Sequence, residues 1–316
     1  MADSRVCTLL KVRVDEETKL KIRETLNHIS QLYNTGKPLF TRRVLEDLSR
    51  QIDEGKEEVY IPNLDGVPRV YNLKPPPPYC ENYQFDTYFI CYRSIQSLCH
   101  IHPYSPESFL RGALTPVSIG WSLKSRTSSG HSQNHGKYSE DSLFWTWYLR
   151  RLNDDEYTRT HTQHAAVETM VASLAKRGLN GSQEIKCYAQ DLEYDEVDQE
   201  FLRSIGITTL KGPKGFLEVD EHTLVFSVCP DIPVKQIVTD LHWPAAMIWD
   251  TVTPSEKNQT EMFPRLKKDK KRGLWKSHWP TTDPDSERVR QMIKYYAHAQ
   301  LEDSDGYFGN LTIYMK

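Results

Sequence analysis

His161 and His164 stand three residues apart and therefore share one face wherever the chain around them is helical. Further along, Cys187-Tyr-Ala-Gln190-Asp191 reads as a short strand that delivers an amide and a carboxylate at its end, with Tyr194 close behind. Imidazole and phenol are general acid–base groups, and a carboxylate can hold an amine or a guanidinium. His164, Asp191 and Tyr194 are therefore the catalytic candidates. Upstream, Asp154-Asp155-Glu156 places three carboxylates together, with Arg159 following. Such a run suits a cationic guest, although a solvated loop is its commoner fate. With His161, Gln190 and Asp250 these residues form the candidate substrate-binding set. The histidine pair has no third ligand at a diagnostic spacing, so neither a metal nor a cofactor is expected. Cys229, just before Pro230, is the best thiol, and a buried structural cysteine is the plainer reading.

A second kind of chemistry is written in the tail. Arg265, Lys267, Lys268, Lys270, Lys271 and Arg272 precede Trp275 and Trp279. Cations neutralise phosphates and indoles stack on bases, so this run is a candidate nucleic-acid contact. A nuclear address or a solvated tail accounts for it equally well.

These side chains need elements to position them. Apolar spacing predicts helices over Glu16 to Tyr33 and from a Thr41 N-cap to about Gly55. Val59 to Ile61 and Val67 to Tyr71 flank Asp65-Gly66 as a hairpin. Pro75 to Pro78 form a stiff spacer. From Gly112 to Tyr138 no period is evident. Thr160 and Gln163 resemble a capping box opening a helix that carries Val167, Met170, Val171 and Leu174. Strands are expected at Ile185 to Ala189, Ile207 to Leu210, Thr223 to Val228 and Ala245 to Trp249. Helices should lie between them at Asp195 to Ser204, burying Val197, Phe201 and Leu202, and at Pro233 to Leu241. One of Asp195 and Asp198 should cap the first of these. A last helix is expected from Asp285 to Leu301, then a short strand at Leu311 to Tyr314.

Alternating strand and helix argues for a parallel sheet with helices on its faces, and ligands of such sheets sit beyond the carboxyl strand ends. The expected organisation is a helical and hairpin extension over 1–78, an α/β core over 79–256 and a basic extension over 257–316. The 316 residues suffice for roughly two domains at ~150 residues each. A net charge of −3 excludes a blanket of positive charge while leaving room for one basic patch. No stretch approaches the ~20 apolar residues of a membrane span, so no membrane partner is expected. Six cysteines without paired spacing read as reduced thiols, which points to the cytoplasm or the nucleus. Nothing in the chain fixes an oligomeric state.

Several motifs occur together in order: Gln163-His164, Cys187-Tyr-Ala-Gln190-Asp191-Leu-Glu-Tyr194, Asp220-Glu-His-Thr223, Pro230-Asp-Ile-Pro233-Val-Lys-Gln236 and Pro244-Ala-Ala-Met-Ile-Trp-Asp250. With Gly36-Lys-Pro-Leu-Phe40-Thr41 and Tyr92-Arg93, they resemble the fungal branch of the sensitivity-to-red-light-reduced-like domain family, over about Thr158 to Val252. The resemblance implies a Rossmann-like, mostly parallel sheet with helices on both faces, and a Gly-Leu-Gly loop before the first core helix. Here that position reads Phe144-Trp145-Thr146-Trp147-Tyr148-Leu149-Arg150-Arg151. A coding string for these residues, shifted by one base, reads Phe-Gly-Leu-Gly-Thr-Phe-Gly. A frame error or retained intron within 112–151 is therefore expected.

The layout also resembles fungal arginine-containing cyclodipeptide synthases, through Arg5-Val-Cys-Thr-Leu-Leu-Lys and Glu46-Asp-Leu-Ser-Arg-Gln-Ile-Asp-Glu-Gly55. That resemblance implies charged tRNAs as partners and a diketopiperazine as product. Those enzymes' acidic pattern, two aspartates and a glutamate three residues on, is shortened here to Asp154-Asp155-Glu156. A non-catalytic regulatory protein of the same fold is the alternative expectation.

Overall fold

The computed structural model describes residues 15–78, 83–101, 106–125, 154–176, 185–191, 194–254, 267–268, 275–276 and 282–316. In chain order the elements are α1 (Glu16–Asn34), α2 (Arg42–Asp53), β1 (Glu58–Pro62), β2 (Pro68–Asn72), β3 (Tyr83–Tyr92), α3 (Ile95–Leu98), α4 (Pro106–Gly112) and β4 (Val117–Ser125). Then come α5 (Asp154–Lys176), β5 (Cys187–Ala189), α6 (Glu196–Ser204), β6 (Ile207–Thr209), α7 (Lys214–Leu217), β7 (Leu224–Phe226), α8 (Val234–Leu241) and β8 (Ala246–Asp250). The chain closes with β9 (Lys267–Lys268), β10 (Trp275–Lys276), α9 (Glu287–Ile293), β11 (Ala297–Gln300) and β12 (Leu311–Met315).

The amino-terminal elements form where local signals put them. The Asp15 carboxylate accepts the Thr18 N–H at the start of α1, and Ile22, Leu26, Ile29 and Tyr33 line its buried face. Thr41 caps α2 through the Val44 N–H, and Leu45 and Leu48 point inward. In the β1–β2 hairpin, Asn63 Oδ1 accepts the N–H groups of Asp65 and Val67. Gly66 there takes φ +82°, which a side chain would strain.

These helices are fastened to the carboxyl-terminal half. The Asp240 carboxylate accepts the N–H groups of Leu39 and Phe40 at 2.6 and 3.2 Å. Arg288 pairs with Asp240 at 2.9 Å, donates to the carbonyls of Tyr33 and Lys37, and lies 4.0 Å over the Tyr33 ring. One hydrophobic core accordingly runs from α1 and α2 through α8 and β8 to α9 and β12.

The fold is mixed α/β. The expected mostly parallel sheet is corrected: among the described strands only β5–β6 and β7–β8 pair in parallel. β7 and β8 lie in a four-stranded sheet of order β11-β12-β8-β7, and β12 returns antiparallel along β8. The remaining pairs are antiparallel because short loops join them or because a strand folds back. On one face of that sheet Met247, Trp249 and Tyr314 join side chains of α8 and α9 in the core.

Four further expectations are corrected. The segment after Gly112 holds β4, whose Val117, Ile119, Trp121 and Leu123 alternate with polar or small residues and whose partner is β3. Helix α5 starts at Asp154, so Thr160 lies within it rather than at its start. The helix expected from Asp285 to Leu301 stops at Ile293, because pairing with β12 turns Ala297–Gln300 into a strand. On α6, Val197 is 73% and Phe201 52% exposed, whereas Leu202 is 1% exposed, since the helix meets its neighbours along one narrow line. The stretch from Phe144 to Arg151, with its expected frame error, lies outside the described residues.

Candidate functional site at the carboxyl strand ends

The amino-terminal half of α5 reaches the loop beside the carboxyl ends of β7 and β8 and, through His164, Tyr194 beyond β5. Arg159 donates to the Gly306 carbonyl at 2.7 Å and Gln163 to the Tyr307 carbonyl at 2.9 Å. Both carbonyls belong to the loop joining β11 to β12. Asp303 shapes this loop by accepting the N–H groups of Tyr307, Phe308 and Gly309. Phe308 meets Phe226 of β7 edge-on at 6.3 Å. The register of β12 against β8 sets Leu311 beside Asp250, which places this loop at the strand ends.

One turn along α5, His164 Nε2 lies 3.1 Å from the Tyr194 hydroxyl. Burial holds the Tyr194 phenol well above its usual range, and the charges of Asp191 and Asp198 add to the shift. The phenol is therefore protonated at neutral pH. Which of the two groups donates in this contact depends on the imidazole tautomer. Asp191 is exposed and near enough for its charge to be felt at Tyr194. His164, Tyr194 and Asp191 thus share one neighbourhood, in which the imidazole and phenol are half-buried and the carboxylate is exposed. His161, one turn earlier, is exposed. Tyr194 is also held from behind, since its carbonyl accepts from Gln199. The next residue, Asp195, caps α6 in a reciprocal box with Asp198.

Other expected binding residues have partners within the fold. The Gln190 amide oxygen accepts the Gly215 N–H at 2.8 Å, and a Cβ on Gly215 would come within 2.4 Å of it. Asp154, Asp155 and Glu156 form the first turn of α5, a favourable end of the helix dipole for carboxylates, and their side chains lie outside the described residues. Lys267, Lys268 and Trp275 sit in the two-residue pair β9–β10, with Trp275 opposite Lys268. Their side chains, and all of Arg265, Lys270, Lys271 and Arg272, are likewise outside the described residues.

Asp250 belongs to a constellation that the sequence did not announce. Lys235, only 2% exposed, bonds through Nζ to Asp285 Oδ1 at 2.5 Å. Asp283, 1% exposed, accepts the Lys235 backbone N–H at 3.1 Å. Asp285 Oδ2 in turn accepts the Thr253 N–H and hydroxyl. Burial pulls the Lys235 ammonium down, but Asp283 and Asp285 outweigh it and hold the group above its ordinary value. Burial pushes the Asp250 carboxyl up, against the pull of Lys235. One sequence signal could have found this cluster: Lys235 is a charge within the apolar stripe Val234, Ile237 and Val238. Among the described residues no three His, Cys, Asp or Glu side chains gather in a way that could hold a metal, and no helix is long and apolar enough to cross a membrane.

No curated protein and no solved structure matches the chain. A family model described as the SRR1 domain does match, over residues 153–315. The match starts beside the first turn of α5, takes in His164, Asp191, Tyr194 and the Lys235 cluster, and ends in β12. It spans just over half of the protein and every element around the strand ends, so the chain belongs to the SRR1 domain family.

Proposed function

We propose that the carboxyl strand ends form a binding and proton-transfer site for a cationic amine, and that its reaction is aminoacyl transfer from charged tRNAs to an arginine-containing cyclic dipeptide. The observation that carries the reading is the 3.1 Å contact between His164 Nε2 and the Tyr194 hydroxyl beside the Asp191 carboxylate. Asp191 would hold the ammonium or guanidinium. The amine nitrogen attacks the ester carbonyl of the second aminoacyl group, so a C–N bond forms and the C–O bond to the tRNA ribose breaks. The proton lost from nitrogen passes through the His164–Tyr194 pair to the departing ribose oxygen. A second, intramolecular attack repeats the exchange and closes the ring, with two free tRNAs as coproducts. The basic run from Arg265 to Arg272 would face the tRNA.

A regulatory, non-catalytic role is the second reading. It is favoured by how many polar groups around the strand ends already bond within the fold, namely Gln190, Arg159 and Gln163. One experiment separates the two. The chain is expressed as written and with the one-base-shifted reading across Trp145 and Trp147, then incubated with total tRNA, aminoacyl-tRNA synthetases and amino acids. Mass spectrometry should find an arginine-containing cyclic dipeptide, reduced ~100-fold or more by His164→Ala. Absence of product from both folded forms favours the regulatory role.

A further inference from the structure

The β1–β2 hairpin treats its two edges differently. Its register sets Glu58 opposite Asn72, Tyr60 opposite Val70 and Pro62 opposite Pro68. The Tyr60 N–H donates to the Gln51 amide oxygen of α2 at 2.8 Å, and the Tyr60 carbonyl accepts from the same amide at 3.1 Å. Tyr60 and Val70 are therefore a non-hydrogen-bonded pair. The alternation of an antiparallel ladder then sends the backbone groups of Val70 and Asn72 outward as well, on the far side of β2. The bond from the Leu73 N–H to the Glu57 carbonyl, one step along the register, fits the same alternation. Among the described residues the backbone groups of Val70 and Asn72 have no hydrogen-bond partner. The Gln51 amide thus closes the edge of β1, while four of the five residues of β2 are exposed. On the outer face Tyr60 is 49% and Val70 54% exposed, whereas Val59 and Ile61 on the inner face are buried.

We propose that this edge is the contact of a two-fold homodimer, in which β2 pairs antiparallel with β2 of a second copy about Val70. An edge strand with unpaired backbone groups is a template for another strand. Here the template fits itself. Across a two-fold axis each Val70 donates its N–H to the other Val70 carbonyl, and each Asn72 N–H meets the Pro68 carbonyl of the other copy. Pairing stops there, because Pro68 and Pro75 to Pro78 have no N–H to extend it. The side chains agree: Tyr60 and Val70 of both copies line up as one apolar stripe on the outer face.

Charge selects the same arrangement. Lys74 stands four residues after Val70 and Gly66 four before it. Antiparallel pairing therefore sets Lys74 of each copy opposite Gly66 of the other, beside Asp65, and both charged side chains are accessible to solvent. Parallel pairing in register would set Lys74 against Lys74. The joined sheet has the order β1-β2-β2-β1, with Gln51 closing Tyr60 at each outer edge, so it ends at two copies instead of growing. The dimer does not depend on any reaction at His164.

A contact confined to two hairpins belongs to the small and weak class, so the test is sedimentation velocity of the full chain from ~1 to ~200 µM. The wild type should pass from monomer to dimer within this range. Val70→Pro removes an N–H that points away from β1 and leaves the hairpin's own ladder intact. Val70→Lys sets two ammonium groups against each other across the axis. Each variant should raise the dissociation constant at least ~10-fold. A wild type that stays monomeric throughout overturns the dimer and leaves the edge to a different chain, and a dimer that both variants leave unchanged overturns it too. Amide hydrogen exchange decides the matter if neither variant folds: the Val70 and Asn72 amides should slow at least ~10-fold between dilute and concentrated wild type, and equal rates overturn the proposal.

Discussion

Two polar clusters adjoin the carboxyl ends of strands in two different sheets, one after β5 and one at β8, and they have opposite characters. Around Lys235 every group is buried or nearly so, and the charges meet one another. Around His164 the imidazole and the Tyr194 ring are half-buried and meet through a side-chain hydrogen bond, and Asp191 is exposed. A strand end is a good place for a ligand in general, but the chemistry left over depends on what the neighbouring loops have already satisfied. At β8, the turn 282–286 arrives from far along the chain and fills that position. Beyond β5, Asp191 is exposed.

The largest effect should come from removing the ammonium that the closed cluster is built around. Lys235→Ala removes the buried ammonium that Asp285 holds at 2.5 Å, and breaking a buried pair in this way costs about 3–5 kcal/mol. Denaturant unfolding at pH 7 measures it directly. A loss under ~1 kcal/mol would mean that water reaches the cluster, and the contrast between the two ends would disappear.

How far each cluster could be read in the sequence follows from the range of the contacts that make it. Caps and hairpins rest on neighbours, so α1, α2 and the Asp65-Gly66 turn lie where Asp15, Thr41 and the glycine put them. β5 through β8 were equally legible, because apolar runs alternate with helical spacing there. The Lys235 cluster was not, since Asp283 and Asp285 lie some fifty residues from Lys235 and nothing local ties them. β4 was hidden by its setting: Val117, Ile119, Trp121 and Leu123 alternate cleanly, but a Ser- and Gly-rich run follows and masks the period. Asp191 and Tyr194 were legible as a strand end and its continuation. That Gln190 beside them would be bound to Gly215 was a tertiary fact.

Helix α6 shows the same limit on a smaller scale and offers the next test. Its sequence presents Val197, Phe201 and Leu202 as one apolar set, yet only Leu202 is buried. Leu202→Ala should cost about 2–4 kcal/mol through the cavity it leaves. Phe201→Ser should stay within ~0.5 kcal/mol. Chemical denaturation of both variants beside Lys235→Ala would rank a long-range ionic contact against a local apolar one. Equal losses for the two α6 variants would mean that Phe201 has a covering partner.

A modest effect on stability, and the one that sharpens the contrast most, belongs to Tyr194→Phe. The substitution keeps the ring and removes one hydroxyl from a half-buried place, so the net cost of the lost hydrogen bond is about 0.5–1.5 kcal/mol. Its consequence for chemistry should be much larger than that. Without the phenol the His164 Nε2 contact is lost, and the proposed proton route between the amine and the leaving oxygen loses its second member. A ~100-fold fall in dipeptide formation with an almost unchanged unfolding midpoint would mark a group held for its chemistry. If instead Tyr194→Phe destabilised the protein as much as Lys235→Ala, the His164 pair would be a fastening of the same kind as the ion cluster. Both strand ends would then serve to hold α5, α8 and the β11–β12 loop together, and the regulatory reading would follow.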